Sequence, residues 1–215
     1  MRVLVVAAHP DDEVIGLGGT IAKHVSRGDE VYLLVISEGV SAQYRNKKKF
    51  LKIRRDACKK SSRFLGIKKI VFRNFPDSKL NLVPVSEVSK SISEEINKFK
   101  PNRIYTHFFG DMHQDHRAVS ESTLIACRRK VDEIYFYEII GNIKMASRNI
   151  FSPNTYVDVG NFINKKIEAL KFYDTEIKPF PHPLSQEGII SLSKMRGVES
   201  GLKNAEAFMC ALRKE

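Results

Sequence analysis

The chain has 215 residues, 42% of them hydrophobic, with a net charge of +11 and three cysteines. That length buries a core without staples, and no run approaches the ~20 apolar residues of a membrane-spanning helix. Cys58, Cys127 and Cys210 are widely spaced and show no CxxC pattern, which argues against a disulfide framework or a thiolate zinc site and for reduced thiols in a cytoplasmic protein.

In chain order, Val3 to Val6 is a short β-branched run that reads as a buried strand. His9 and two aspartates break it too early for a signal peptide. A helix beginning near Thr20 ends at Ser26-Arg27-Gly28-Asp29, where the glycine stops it. Val31 to Ile36 is a second buried strand, followed by a polar loop and a basic helix from Phe50 to Phe64. Ile70 to Phe72 is a third strand, and Pro76-Asp77-Ser78 marks a turn. The spacing of Val88, Ile92, Ile96 and Phe99 predicts an amphipathic helix over Ser86 to Phe99. Arg103 to His107 is a fourth strand, Ala118 to Arg129 a helix, and Glu133 to Ile140 a fifth strand. A short strand at Tyr156 to Val159, a helix from Phe162 to Tyr173, a proline-rich loop at Lys178 to Pro183 and a last helical segment from Ile189 to Met195 complete the reading. Strands alternating with helices predict a three-layer α/β/α, Rossmann-like, mostly parallel doubly wound sheet, with residues 1–215 as one domain.

The basic balance raises a nucleic-acid reading, and its support is Arg45-Asn46-Lys47-Lys48-Lys49 with Lys52, Arg54 and Arg55. No aromatic residues are interleaved there as in a stacking platform. The stretch reads as a solvated helix face, no nucleic-acid partner is expected, and attraction to anionic molecules is left open.

Chemistry concentrates at two strand ends. His9-Pro10-Asp11-Asp12-Glu13 follows the first strand and His113-Gln114-Asp115-His116 the fourth. In open α/β sheets ligands bind at the carboxyl edge. Three carboxylates beside one histidine repel one another unless a cation or protons offset them. His9, Asp12 and His116 form a two-histidine, one-carboxylate set of the kind a catalytic zinc uses, with one position left for water. Asp11 and His113 then remain for proton transfer and oxyanion stabilisation. Gly16, Gly18 and Gly19 raise the alternative of a non-catalytic dinucleotide-binding module, but Ile21 stands where its third glycine belongs, and the glycines are assigned to close strand-helix packing.

These two motifs, with Gly16-Leu17-Gly18-Gly19-Thr20, Phe151-Ser152-Pro153-Asn154 and Ala205-Glu206-Ala207-Phe208, resemble the LmbE-like, PIG-L N-acetylglucosaminyl deacetylases over nearly the full length. The resemblance implies a hydrolase that removes the N-acetyl group from a GlcNAc-containing small molecule. An amidase acting on a thiol or peptide-like sugar conjugate is the alternative. It implies one zinc per chain, or iron(II), on His9, Asp12 and His116. Asp11 becomes the general base, His113 the electrophile or acid, and Asp115 the residue orienting His113. Arg54 and Asp77 would hold the sugar, and some relatives form homo-oligomers. The chain departs from the pattern at Leu184, where many relatives carry arginine, and at Gln114, which replaces a proline.

Overall fold

The computed structural model describes residues 1–40, 47–142 and 150–214, with the side chain of Lys47 excepted. Arg45 and Asn46 of the basic stretch lie outside the described residues. In chain order the elements are β1 (Arg2–Ala7), α1 (Asp12–Ser26), β2 (Glu30–Ser37), α2 (Lys47–Leu65), β3 (Lys69–Phe75), a single 3-10 turn (Leu80–Leu82), α3 (Val85–Phe99), β4 (Arg103–His107), α4 (Gln114–Cys127), β5 (Glu133–Tyr137), β6 (Thr155–Asp158), α5 (Ile163–Leu170), α6 (Gln186–Ser200) and β7 (Ala205–Arg213).

Why β1 reads as an unbroken apolar run is plain from its two faces. Val3, Val5 and Ala7 point into a core shared with α1, α2 and α5, while Leu4, Val6 and Ala8 point into a second core with α3 and α4. The expected three-layer α/β/α architecture follows. The seven-stranded sheet has the order β3-β2-β1-β4-β5-β7-β6, with β1 to β5 parallel and β7 antiparallel to both of its neighbours. β1 pairs directly with β4 through Val3 to Arg103, Leu4 to Ile104 and Val5 to Tyr105. The chain turns from one side of β1 to the other between β3 and β4. That reversal opens a crevice beyond the carboxyl ends of β1 and β4, where both histidine motifs sit.

Several boundaries differ from the sequence reading. α4 starts at Gln114, four positions before Ala118, because His113 caps it: its Nδ1 accepts the backbone N–H of Asp115. β5 stops at Tyr137, before Ile140, and α5 stops at Leu170, before Tyr173. α6 is longer than Ile189 to Met195, running from a Ser185 cap to Gly201 in the left-handed conformation. β7 was absent from that reading altogether.

α1 is two helical pieces joined at Leu17, whose φ of −148° is not helical. Its glycines allow close contact: a Cβ on Gly16 would lie 2.4 Å from Tyr137 Cδ2, and one on Gly19 2.8 Å from Val159 Cγ1. Tyr137 is wholly buried and its hydroxyl donates to the carbonyl of Val6 at 3.1 Å. With the ring unable to retreat, Gly16→Ala is expected to destabilise by about 2 kcal/mol, the usual cost of overpacking. Calorimetry should show the melting temperature falling by roughly 4–8 °C, whereas an unchanged value would mean the ring moves freely.

Candidate metal and catalytic site

His9 leaves the end of β1, and the backbone then turns sharply at Asp11, whose φ of +120° is a region L residues rarely adopt. Glu13 holds that turn: one oxygen accepts the Asp11 N–H at 3.0 Å and the other accepts the hydroxyl of Tyr173. The turn aims Asp11 and Asp12 into the crevice from the first residues of α1. From the neighbouring strand, the loop after β4 delivers His113, and the first turn of α4 delivers His116.

His9 Nδ1 lies 3.3 Å from His116 Nε2 and 3.3 Å from Asp12 Oδ2, and His116 Nε2 lies 3.4 Å from Asp12 Oδ1. A tetrahedral ion with ligand bonds of about 2.0–2.1 Å has edges of about 3.3–3.4 Å. Each pair of these residues therefore offers donors at the spacing zinc requires, the two rings approaching different oxygens of Asp12, and all three residues line one open cavity. Two other groupings share members with this one. His9, His113 and Asp115 fit less well, because both oxygens of Asp115 already accept backbone N–H groups, from Ser78 at 2.7 Å and Leu80 at 3.0 Å. His107, Asp111 and His116 fail on orientation: the rings of His107 and His116 stack at 3.9 Å and 17°, so their in-plane lone pairs run side by side.

The surrounding groups set the donors' charge states. Burial takes His116 down to about 3, leaving it a neutral imidazole. Its Nδ1 pairs with Asp111 Oδ2 at 2.9 Å, so Nε2 faces His9 and Asp12. Burial works against ionisation of Asp12, yet His116 and His107 hold its carboxyl well below the usual range. Burial likewise disfavours protonated His9, but Asp115, Asp12 and Asp77 outweigh it and raise it well above the ordinary value. The three carboxylates around His9 thus favour its protonated form.

Asp11 is buried at the cavity wall, 2.8 Å from Arg54 Nη2. Burial pushes its carboxyl up to about 8, against the Arg54 guanidinium and with help from Asp12 and Glu176. Arg54, read above as a sugar contact, is buried and engaged with Asp11, with the carbonyls of Pro10 (3.1 Å) and Gly39, and with Glu176 at 3.6 Å. Asp77 lines the cavity and approaches His9 Nε2 at 3.2 Å. His113 also lines it, its ring 4.8 Å from that of His9, and burial lowers its pKa. Asp115, read as orienting His113, instead turns its carboxylate to His9 Nε2 at 3.1 Å, and only its backbone N–H reaches His113.

Sequence reasoning read Glu13 only as part of the charged cluster after the first strand, without its role in the turn, and passed over His107, Asp111 and Glu176. Asp111 carried a local signal, standing two residues before His113 in a loop after a strand; the others are recognisable only by distant neighbours. His107 Nε2 accepts the Ala8 N–H at 2.9 Å and lies 3.2 Å from Asp12 Oδ2, backing that ligand from inside the sheet. The cavity has a volume of about 380 Å³, and Leu184, with His182 and Pro183, forms its far wall. That volume lies within the usual range for small-molecule sites.

Among curated proteins, the chain is 28% identical over 223 residues to the diacetylchitobiose deacetylase of Thermococcus kodakarensis, covering 96% of this chain and 82% of that one. It is 30% identical over 178 residues to a probable N-acetyl-alpha-D-glucosaminyl L-malate deacetylase 2 of Bacillus cereus, covering 79% and 80%. Among solved structures, the N,N'-diacetylchitobiose deacetylase of Pyrococcus horikoshii superposes with a TM-score of 0.81 at 23% identity, over 97% of this chain and 83% of that one, a likeness of fold. Residues 4–127, which run from β1 to the end of α4 and hold His9, Asp12 and His116, match the family described as GlcNAc-PI de-N-acetylase, and the chain belongs to this PIG-L family of deacetylases.

Proposed function

We propose that the chain is a metal-dependent N-deacetylase that hydrolyses the acetamide of a GlcNAc-containing small molecule, releasing acetate, with one zinc held by His9, Asp12 and His116. The single observation that carries this reading is the grouping of His9, Asp12 and His116, each pair with donor atoms 3.3–3.4 Å apart, on a cavity that also holds Asp11 and His113. When bound, the metal supplies a Lewis acid and brings a water's pKa down to ~7.

The chain's own residues do the rest. Asp11 takes the proton of the attacking water in its ionised form, which Arg54 favours and burial opposes, so acetate release is expected to rise with pH towards about 8. His113, on the wall of the same cavity, donates its N–H to the carbonyl oxygen as charge develops there, and the proton that Asp11 has taken passes on to the departing amine. Asp115 and Asp77 fix the His9 ring and Asp111 fixes that of His116, so neither ring has to reorganise during the reaction. Asp77 and Arg54 face the sugar from the cavity wall. Leu184 makes the opposite wall apolar, which favours a substrate without an anionic group on that side.

The test is acetate release from a panel of N-acetylated sugars, diacetylchitobiose among them. It is measured on protein stripped with chelator and reloaded with zinc or iron(II). Stripping is expected to abolish release and one equivalent of metal to restore it, with Asp12→Ala refractory to reloading. Full hydrolysis by the stripped protein would overturn the reading. Among the described residues no helix is long and apolar enough to cross a membrane, so a dissolved amino sugar is the substrate form to supply first.

A further inference from the structure

A second cavity, of about 250 Å³, lies at the other end of α1, against the amino end of β4. Thr20 and Lys23 of α1 and Arg27 just past its end line it together with Arg103 and Tyr105 of β4 and Tyr156 of β6. At ~1.5 Å per helical residue, α1 separates it from the metal-binding residues by about 20 Å. Three cations therefore face one hollow, and among the described residues no carboxylate lines it.

Their partners leave much of that charge over. Arg103 is paired with Glu133 and donates to the Tyr105 hydroxyl at 3.3 Å. Among the described residues Lys23 donates only to a neutral group, the carbonyl of Asp158 at 2.8 Å. Arg27 is exposed and makes no ion pair with any described residue. Asp29 gives no relief, since it is shared between the N-terminal ammonium at 2.6 Å and His24 at 2.7 Å. His24 adds no fourth cation: burial first, then Arg103 and Arg27, hold it below the ordinary imidazole value against the opposing pull of Asp29.

A second observation is independent of charge. Thr20 is 1% exposed, and among the described residues its hydroxyl has no hydrogen-bond partner. A threonine inside a helix ordinarily bonds a carbonyl one turn back, and an unsatisfied buried hydroxyl costs about 1–3 kcal/mol. Thr20 lines the hollow, and its hydroxyl has no acceptor among the described residues to compete with an anion bound there.

We propose that this cavity binds a phosphate group, free or as the head of a small monoester, with Lys23, Arg27 and Arg103 as its cationic ligands and Thr20 as a hydroxyl donor. Glu133 offsets one of the three cations, and the remaining two match the charge of about −1.5 to −2 that a phosphate monoester carries at neutral pH. Several donors approaching from different elements suit a tetrahedral anion with three or four acceptor oxygens better than a planar carboxylate with two. The volume excludes a dinucleotide.

The test is calorimetric titration of the zinc-loaded chain with inorganic phosphate and, separately, with glycerol phosphate, at constant ionic strength in a phosphate-free buffer. One saturable site is expected. Lys23→Gln/Arg27→Gln should weaken it by roughly tenfold or more, and Thr20→Val should weaken it several-fold while preserving side-chain shape. Acetate release should be unchanged in both variants. Binding of both probes with the same dependence on the variants identifies the phosphate head as the recognised element; binding of inorganic phosphate alone restricts the site to the free anion. Affinity that survives in Lys23→Gln/Arg27→Gln, a response that never saturates, or one that chloride reproduces would overturn the proposal.

Discussion

Replacing Asp11 by asparagine should lower kcat for acetate release by about 10²–10⁴-fold, the range over which a positioned base contributes, and leave the metal content at one per chain. Asparagine is the informative substitution because Asp11 sits at a φ of +120°, and asparagine accepts positive φ more readily than other side chains while keeping the same shape. Alanine would confound lost chemistry with backbone strain. The variant also relieves the crowding of Asp11 against Asp12 and Glu176. It leaves Arg54 without its nearest carboxylate, Glu176 being 3.6 Å away. Two measurements separate the outcomes: kcat with a colorimetric acetate assay, and bound metal by atomic emission. Loss of both would place Asp11 among the ligands, and loss of neither would remove it from the mechanism. Asp12→Ala supplies the contrast, because it is expected to lose metal and activity together.

The second large effect concerns a buried ion pair away from the catalytic cavity. Lys166 Nζ lies 2.6 Å from Glu206 Oε1, and each residue is 4% exposed. Glu206 also accepts the backbone N–H groups of Gly19 at 3.0 Å and Thr20 at 2.6 Å. These N–H groups lie just past the break at Leu17, so the carboxylate caps the second piece of α1 as an anion caps a helix start. Lys166→Met strands that charge in the interior, which should destabilise by about 3–5 kcal/mol and lower the melting temperature by roughly 6–20 °C. Adding Glu206→Gln should recover part of the loss, since the amide oxygen still accepts one N–H and no charge is left buried. Additive losses in the double variant would mean the two side chains do not communicate.

Much of the architecture was legible because parallel strands buried on both faces write themselves as short β-branched runs, as in Val3 to Val6 and Val31 to Ile36. β7 was not legible. Its residues, Ala205-Glu206-Ala207-Phe208-Met209-Cys210-Ala211-Leu212-Arg213, favour helix by local propensity. It is a strand because β5 and β6 offer it an edge on each side. The site divides in the same way. The metal-binding set was readable because its chemistry is dense: a histidine and two aspartates in one turn, and a second histidine motif at a second strand end. Its supports were not. Whether Asp115 serves His113 or His9 depends on Ser78 and Leu80, which pin its carboxylate from another loop. That Arg54 meets Asp11 depends on how α2 crosses the crevice. Such facts belong to tertiary contact, and spacing carries no trace of them.

The placement of β7 bears on when the molecule becomes competent as it is made. A ribosome delivers β5 and β6 well before the strand that must slide between them. Until Glu206 emerges, the latter half of α1 has no anion at its start. The helix that carries Asp12 at its other tip is therefore secured by a strand synthesised long after it, and a nascent chain that already holds every metal-binding side chain still waits on β7 before those side chains are locked in place.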